Sequence, residues 1–268
     1  KIVLFETAKA KFFDGYLEKL KEVIDVTKID YLVVSHTEPD HAGSVEKLLG
    51  YSPQMKIIST GCAAGFLREI VNRDFVSIAV RDGQKMTIGE RTLHFLFVPN
   101  LHWPDTMYTF IEEEQILVTC DSFGSHYCLP EVVSTEIKNE EDYQKALKYY
   151  YDCIIGPFKP FMLKALDRVE NMDISMVCTG HGPVLVGDRI KAVMKQYREW
   201  STIANPNPRK TVIMPYVSAH GYTKTLAETI AEGVWDSGDI DARTYDMVAA
   251  EAAKVNEELR FADGVLLG

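Results

Sequence analysis

Residues 31–41 read Tyr31-Leu32-Val33-Val34-Ser35-His36-Thr37-Glu38-Pro39-Asp40-His41. The first four are apolar, and aromatic or branched side chains of this kind suit a buried strand. Directly behind them come four potential metal ligands, His36, Glu38, Asp40 and His41, with Pro39 stiffening the turn. A loop leaving a strand presents its side chains from a fixed backbone at one edge of a sheet. Imidazoles and carboxylates crowded there suit a divalent metal.

Three more candidates stand in the same setting. His102 follows the strand-like run Leu93–Val98, Asp121 follows Gln115–Thr119, and His181 follows Ser175–Cys178 within Thr179-Gly180-His181-Gly182-Pro183. One loop histidine alone would ordinarily be solvated or hydrogen-bonded. Four histidines and three carboxylates, each placed where an apolar run ends, are instead expected at strand-to-loop exits along one sheet edge, as a metal site. Of the other histidines, His94 lies inside the run Thr92–Val98 and is expected to be structural. His126, five residues after Asp121, either approaches a substrate pocket or stands behind a ligand as its hydrogen-bond partner, and the second role is expected. Trp103-Pro104-Asp105 is expected to form a turn that orients His102.

Working outward, further strands are predicted at Lys1–Phe5, Lys56–Ser59 and Met176–Cys178. Turn signals at Arg81-Asp82-Gly83 and Ile88-Gly89-Glu90-Arg91 predict antiparallel hairpins between about 76 and 98. Apolar residues at a period of three to four predict helices over Phe12–Val26, Glu140–Tyr151 and Asp188–Trp200. Residues 1–200 are therefore expected to form one mixed sheet-and-helix domain. Asn205-Pro206-Asn207-Pro208 can continue neither a helix nor a central strand, so 201–210 is expected to be a linker.

After it the pattern alternates strictly: strand Thr211–Val217, helix Thr223–Trp235, strand Ala242–Met247, helix Ala249–Phe261 and strand Gly264–Leu267. This is the first half of a doubly wound parallel sheet over 211–268. An uncovered parallel edge is unstable alone, so the sequence is expected to be a fragment at this end. Between the first strand and helix lies Ser218-Ala219-His220-Gly221-Tyr222-Thr223. Hydroxyls and free amides at a helix N-terminus make an anion site, although a helix cap alone would explain them. A Walker lysine and a G-x-G-x-x-G fingerprint are both missing, which argues against ATP and NAD.

The bulk composition narrows the class. A formal net charge of −10 argues against binding a nucleic-acid backbone. No apolar run approaches the roughly 18 residues of a membrane span. Five cysteines without a C-x-x-C pair fit reduced thiols in a cytoplasmic protein better than a disulfide frame, and Cys120 and Cys178 are expected as small buried hydrophobes.

In spacing and context, His36 to His41 resembles the first metal loop of the metallo-β-lactamase superfamily, whose zinc hydrolases carry H-x-H-x-D-H. Glu38 stands here where those enzymes have a second histidine. Added carboxylate favours a harder, redox-active metal over zinc. That change matches the flavodiiron proteins, and the resemblance covers nearly the whole chain, from Val3-Leu-Phe-Glu-Thr-Ala-Lys9 through the ligand loops to the second domain. It implies an αββα sandwich followed by a truncated flavodoxin-like domain, with residues missing ahead of Lys1 as well. By the resemblance, His36, Glu38 and His102 would bind one iron, Asp40, His41 and His181 the other, and Asp121 would bridge them. Residues 218–223 would hold the phosphate of FMN. The implied activity is reduction of dioxygen or nitric oxide, fed by a rubredoxin-like or flavin reductase donor in a head-to-tail homodimer or dimer of dimers. A di-zinc hydrolase with an attached flavodoxin-like domain is the alternative.

Overall fold

The computed structural model describes residues 1–202 and 204–268. They fall into two compact units, Lys1–Thr202 and Ile203–Gly268.

In the first unit the chain runs β1 (Val3–Phe5), α1 (Phe13–Val23), β2 (Tyr31–Val33), α2 (Pro39–Ala42), α3 (Val45–Tyr51), β3 (Lys56–Thr60), α4 (Gly61–Ile70) and β4 (Val76–Val80). It continues through β5 (Lys85–Ile88), β6 (Arg91–Phe97), β7 (Met107–Ile111), β8 (Ile116–Cys120), α5 (Glu140–Tyr150), α6 (Lys159–Val169), β9 (Met176–Thr179), β10 (Leu185–Val186) and α7 (Asp188–Ser201). Strands β1-β2-β3-β4 form one parallel sheet. The other sheet has the order β10-β9-β8-β7-β6-β5 and is antiparallel except between β8 and β9.

Period-two alternation assembles the layers, because successive side chains leave opposite faces of a strand. Leu32 and Ile57 point to a cluster with Phe13 and Leu17 of α1, Leu48 of α3 and Leu67 of α4. Their neighbours Val33 and Ile58 face the other way, against Leu93 and Phe95 of β6 and Met107 of β7, and this joins the two sheets. On the far face of the second sheet, Leu96, Tyr108, Leu117 and Val177 pack on Leu147 of α5, Leu166 of α6 and Tyr197 of α7. The result is the helix–sheet–sheet–helix sandwich expected.

One expectation needs correction, and two helices lie where no element was predicted. Residues 76–98 do not form a run of hairpins: only β5 and β6 pair antiparallel, whereas β4 lies parallel to β3 in the other sheet. The turn at Arg81–Gln84 carries the chain from one sheet to the other, with Gly83 N–H donating to Phe95 O. Helices α4 and α6 fall on stretches holding Gly61, Gly65 and Pro160, residues that ordinarily mark breaks. Local capping overrides that signal. Thr60 Oγ1 accepts from Ala63 N–H at 3.0 Å to start α4. Pro160 sits in the first turn of α6, where its missing N–H has no helical partner to lose.

The second unit runs β11 (Lys210–Tyr216), α8 (Tyr222–Asp236), β12 (Ile240–Asp246), α9 (Ala252–Leu259) and β13 (Gly264–Val265). Its sheet is parallel with the order β12-β11-β13. That order starts a flavodoxin-like doubly wound sheet, with the β11–α8 loop at the point where the winding reverses. Among the described residues no helix is long and apolar enough to cross a membrane.

Candidate metal centre

The loop after β2 is built differently from a plain strand exit. Pro39 occupies the first turn of α2, so Asp40 and His41 lie on a helical turn rather than in a loop. His41 N–H donates to Glu38 O at 2.9 Å. His36 and Glu38 do precede that turn as loop residues. His102 sits between β6 and β7, where Asn100 N–H donates to Trp103 O. At the end of β8 the register with β9 shifts between Val118 and Cys120, and Cys120 has a φ of 54°. Such an irregularity re-aims the residues that follow it, here Asp121. His181 follows β9 after Gly180, whose N–H donates to Cys120 O. A β-carbon at Gly180 would lie 2.8 Å from His41 Cε1, so only glycine lets this loop approach the ring.

All seven predicted residues come together, in two adjoining groups. They do not lie along one sheet edge as expected: residues 36–41 follow β2 of the first sheet, whereas His102, Asp121 and His181 follow β6, β8 and β9 of the second. The ligand atoms of His36, Glu38, His102 and Asp121 lie within 4.8 Å of one another, as do those of Asp40, His41 and His181. Asp121 joins them. Its Oδ1 is 3.0 Å from His41 Nε2 and 3.2 Å from His181 Nε2, while Oδ2 is 3.4 Å from both His36 Nε2 and His102 Nε2. Glu38 Oε2 lies 2.8 Å from His102 Nε2 and 3.2 Å from His36 Nε2. His36, His41 and Asp121 are buried, whereas Glu38, Asp40, His102 and His181 are partly exposed, so the cluster is closed from within and open on one side.

Burial opposes the charge on Asp121, but the adjacent imidazoles of His102, His181 and His41 outweigh it and hold the carboxyl well below the usual range. Asp121 Oδ2 and Asp40 Oδ1 are nevertheless buried without a hydrogen-bond partner. A buried polar atom left unpaired costs about 1–3 kcal/mol, more when charged, and a cation between the groups would offset that cost. The donor set of imidazole and carboxylate fits two first-row divalent ions. Cys120 also approaches His41, with Sγ 3.6 Å from Nδ1. Burial pushes its thiol well above the ordinary value, so it is no ready thiolate and acts as the small buried residue expected.

Three neighbours escaped the sequence reading of the site. Asp105, in the turn expected to orient His102, also reaches back to His36, with Oδ1 3.4 Å from Nδ1. Glu6 Oε2 lies 3.6 Å from His41 Nδ1. Tyr150, at the end of α5, is buried and its hydroxyl donates to Asp121 Oδ1 at 3.3 Å. Burial and the adjacent Asp121 charge push that hydroxyl far above the ordinary tyrosine range, so it stays protonated and a donor. Nothing local in sequence marks these three. His126 is exposed and stands edge-on to Tyr150 and His181, with ring centroids 4.9 and 5.9 Å away.

In the second unit, Ser218 to Thr223 form the loop into α8. Gly221 holds a φ of 86° at the helix start, a left-handed conformation that a side chain would disfavour. Ser218 Oγ accepts from Lys224 N–H at 3.2 Å, capping the helix. Ala219, His220, Gly221 and Tyr222 are exposed, and Ser218 and Thr223 half-buried.

Comparison with known proteins places these features in context. Residues 1–182 match the family described as ODP family beta lactamase. The flavo-diiron protein FprA2 of Clostridium acetobutylicum is 37% identical over all of this chain and 68% of its own length. The diflavin flavoprotein A 1 of Synechocystis is 38% identical, again over the whole chain, but over only 46% of its own length. Among solved structures, the rubredoxin oxygen:oxidoreductase of Desulfovibrio gigas superposes with a TM-score of 0.70 at 28% identity, covering 99% of this chain and 66% of that one. This chain thus spans about half to two thirds of the length of these relatives.

Proposed function

The chain belongs to the flavo-diiron protein family, and from that premise we propose that its seven-residue cluster holds two iron ions and reduces dioxygen to water or nitric oxide to nitrous oxide. The observation that carries this reading is the division of Asp121, one oxygen toward His41 and His181 and the other toward His36 and His102. In this reading His36, Glu38 and His102 hold one iron, Asp40, His41 and His181 the other, and Asp121 bridges them. When bound, the pair supplies the electrons for reducing a diatomic molecule.

The chain's own residues then have separable tasks. The buried histidines and the sandwich core exclude water from the inner side of the cluster. Asp121, kept ionised by its imidazole partners, holds two positions at a fixed spacing. Tyr150 donates to the Asp121 oxygen on the His41 and His181 side and limits how that carboxylate can rotate. His126 stands edge-on to Tyr150 and His181 at the exposed rim and makes no hydrogen bond to a ligand among the described residues, so the expected role as a hydrogen-bond partner behind one is not seen.

FMN as electron source is part of the same proposal. Amides at the start of α8 and the hydroxyls of Ser218 and Thr223 would take its phosphate, at the reversal of winding where such sheets bind ligands. A rubredoxin-like or flavin reductase donor, a head-to-tail homodimer or dimer of dimers, and a cytoplasmic setting complete it. The Desulfovibrio gigas relative is named for rubredoxin and oxygen, which supports the donor class.

Anaerobic stopped-flow of the iron-loaded, reduced protein against dioxygen and nitric oxide separately tests the activity. Rapid consumption of either gas is expected. A preparation holding zinc that hydrolyses esters or nucleic acid and consumes neither gas would refute it.

A further inference from the structure

Resting on the reading of the cluster as a metal centre, the geometry points to Asp105 and Glu6 as positioning residues. Each fixes one buried histidine so that its Nε2 faces a metal position, one residue for each group. An imidazole binds metal through a nitrogen free of hydrogen, so the hydrogen must sit on the other nitrogen and find an acceptor there.

Behind His36 that acceptor is Asp105, which is buried and aimed by its own contacts. Its Oδ2 accepts from Thr37 N–H at 2.8 Å and Thr37 Oγ1 at 2.7 Å, which leaves Oδ1 facing His36 Nδ1 at 3.4 Å. Behind His41 a carboxylate from a different part of the chain stands at longer range, beside Cys120 Sγ, which lies 3.6 Å from the same Nδ1. Glu6 Oε1 accepts from Ser35 N–H at 2.8 Å, and its Oε2, buried without a hydrogen-bond partner, lies 3.6 Å from His41 Nδ1. Glu6 holds a φ of 60°, a left-handed conformation that strains a residue bearing a side chain and that persists where the surroundings impose it. The half-buried His102 and His181 have no carboxylate behind their rings among the described residues; their carboxylate contacts all run through Nε2. Each group therefore contains one buried histidine with a carboxylate behind its ring and one histidine near the open side without one.

The amide variants make this testable, because the backbone donors dictate their orientation. In Asp105→Asn the amide oxygen is required by Thr37 N–H, so the amide N–H faces His36 Nδ1 and favours hydrogen on Nε2, where it blocks metal. Glu6→Gln does the same to His41 through Ser35 N–H. The whole chain, loaded anaerobically with Fe(II), is compared with these variants and with Thr37→Val and Cys120→Ala. The measurements are iron retained against a chelator, the Mössbauer spectrum, and thermal unfolding of the metal-free forms.

Wild type, Thr37→Val and Cys120→Ala should retain both irons. Each amide variant should bind one of them about 10–100-fold more weakly, with a different Mössbauer doublet lost in each and metal-free unfolding unchanged. Wild-type retention and spectrum in either amide variant overturns that residue's role. Equal loss in Thr37→Val reduces Asp105 to a brace for the loop, and equal loss in Cys120→Ala transfers the Glu6 role to the thiol. A wild type that retains no iron overturns the metal reading itself and this inference with it.

Discussion

Asp121 Oδ1 lies 3.0 Å from His41 Nε2, although the two residues are 80 positions apart in sequence. The contact joins the end of β8 to the helical turn α2, and it is the point where the two groups of the cluster become one site. Replacing Asp121 with Ala should therefore weaken iron at both positions. Loss of an outer partner of a metal ligand costs about 10–100-fold in affinity, so loss of the shared carboxylate should cost at least that. Metal analysis after dialysis checks this, and flavin binding should be untouched; retention of both irons would count against the bridging role.

Gly180→Ala tests the close approach of the β9 loop to His41. Its new methyl would meet His41 Cε1 at 2.8 Å and the Cys120 carbonyl at 3.1 Å, with the second contact a rigid backbone. The loop must shift and carry His181 with it. The expected outcome is weaker iron binding at the Asp40, His41 and His181 position, while the other position keeps its spectrum.

The junction of the two sheets should dominate stability. Phe95 is fully buried between them, and truncation to Ala should cost about 3–5 kcal/mol in chemical denaturation. Val76→Ala, at a position 55% exposed on the edge strand β4, should stay within about 0.5 kcal/mol. Comparable losses in both would contradict the layer assignment.

Asp82 offers a pH-dependent test away from the cluster. Burial opposes its charge, but Arg168 and the Phe97 N–H outweigh that and lower its pKa. A carboxylate depressed in the folded state adds stability above its unfolded value, near 3.9, and loses it as pH falls through the folded value. The side chain is 52% exposed, so solvent screening limits the effect. Asp82→Asn should cost about 0.5 kcal/mol at neutral pH, and denaturation curves of the two proteins should converge as the pH falls through the depressed value of the folded carboxyl.

Much of the architecture was legible in local patterns. The β-α-β-α-β alternation after residue 210 appears in the structure with ends displaced by a few residues, because apolar runs and turn residues act locally. The partner of β4 was not legible. Its Val76–Val80 run suits either sheet, and its place is settled by parallel pairing with β3, which sets Val80 in the cluster with Ile88, Leu93 and Phe95 between the sheets. Helices α4 and α6 were hidden by glycine and proline whose meaning depends on where a helix starts.

For the cluster, sequence by itself determined the residue types and their placement around strand ends, because metal-donor chemistry and strand periodicity are both written locally. Tertiary structure alone decided which oxygen of Asp121 faces which histidines, and which carboxylates stand behind His36 and His41. Asp105 reaches His36 across 69 positions, and Glu6 approaches His41 from the residue that follows the first strand. A contact made across such separations depends on how two sheets and their loops pack, and no short stretch of sequence contains that geometry.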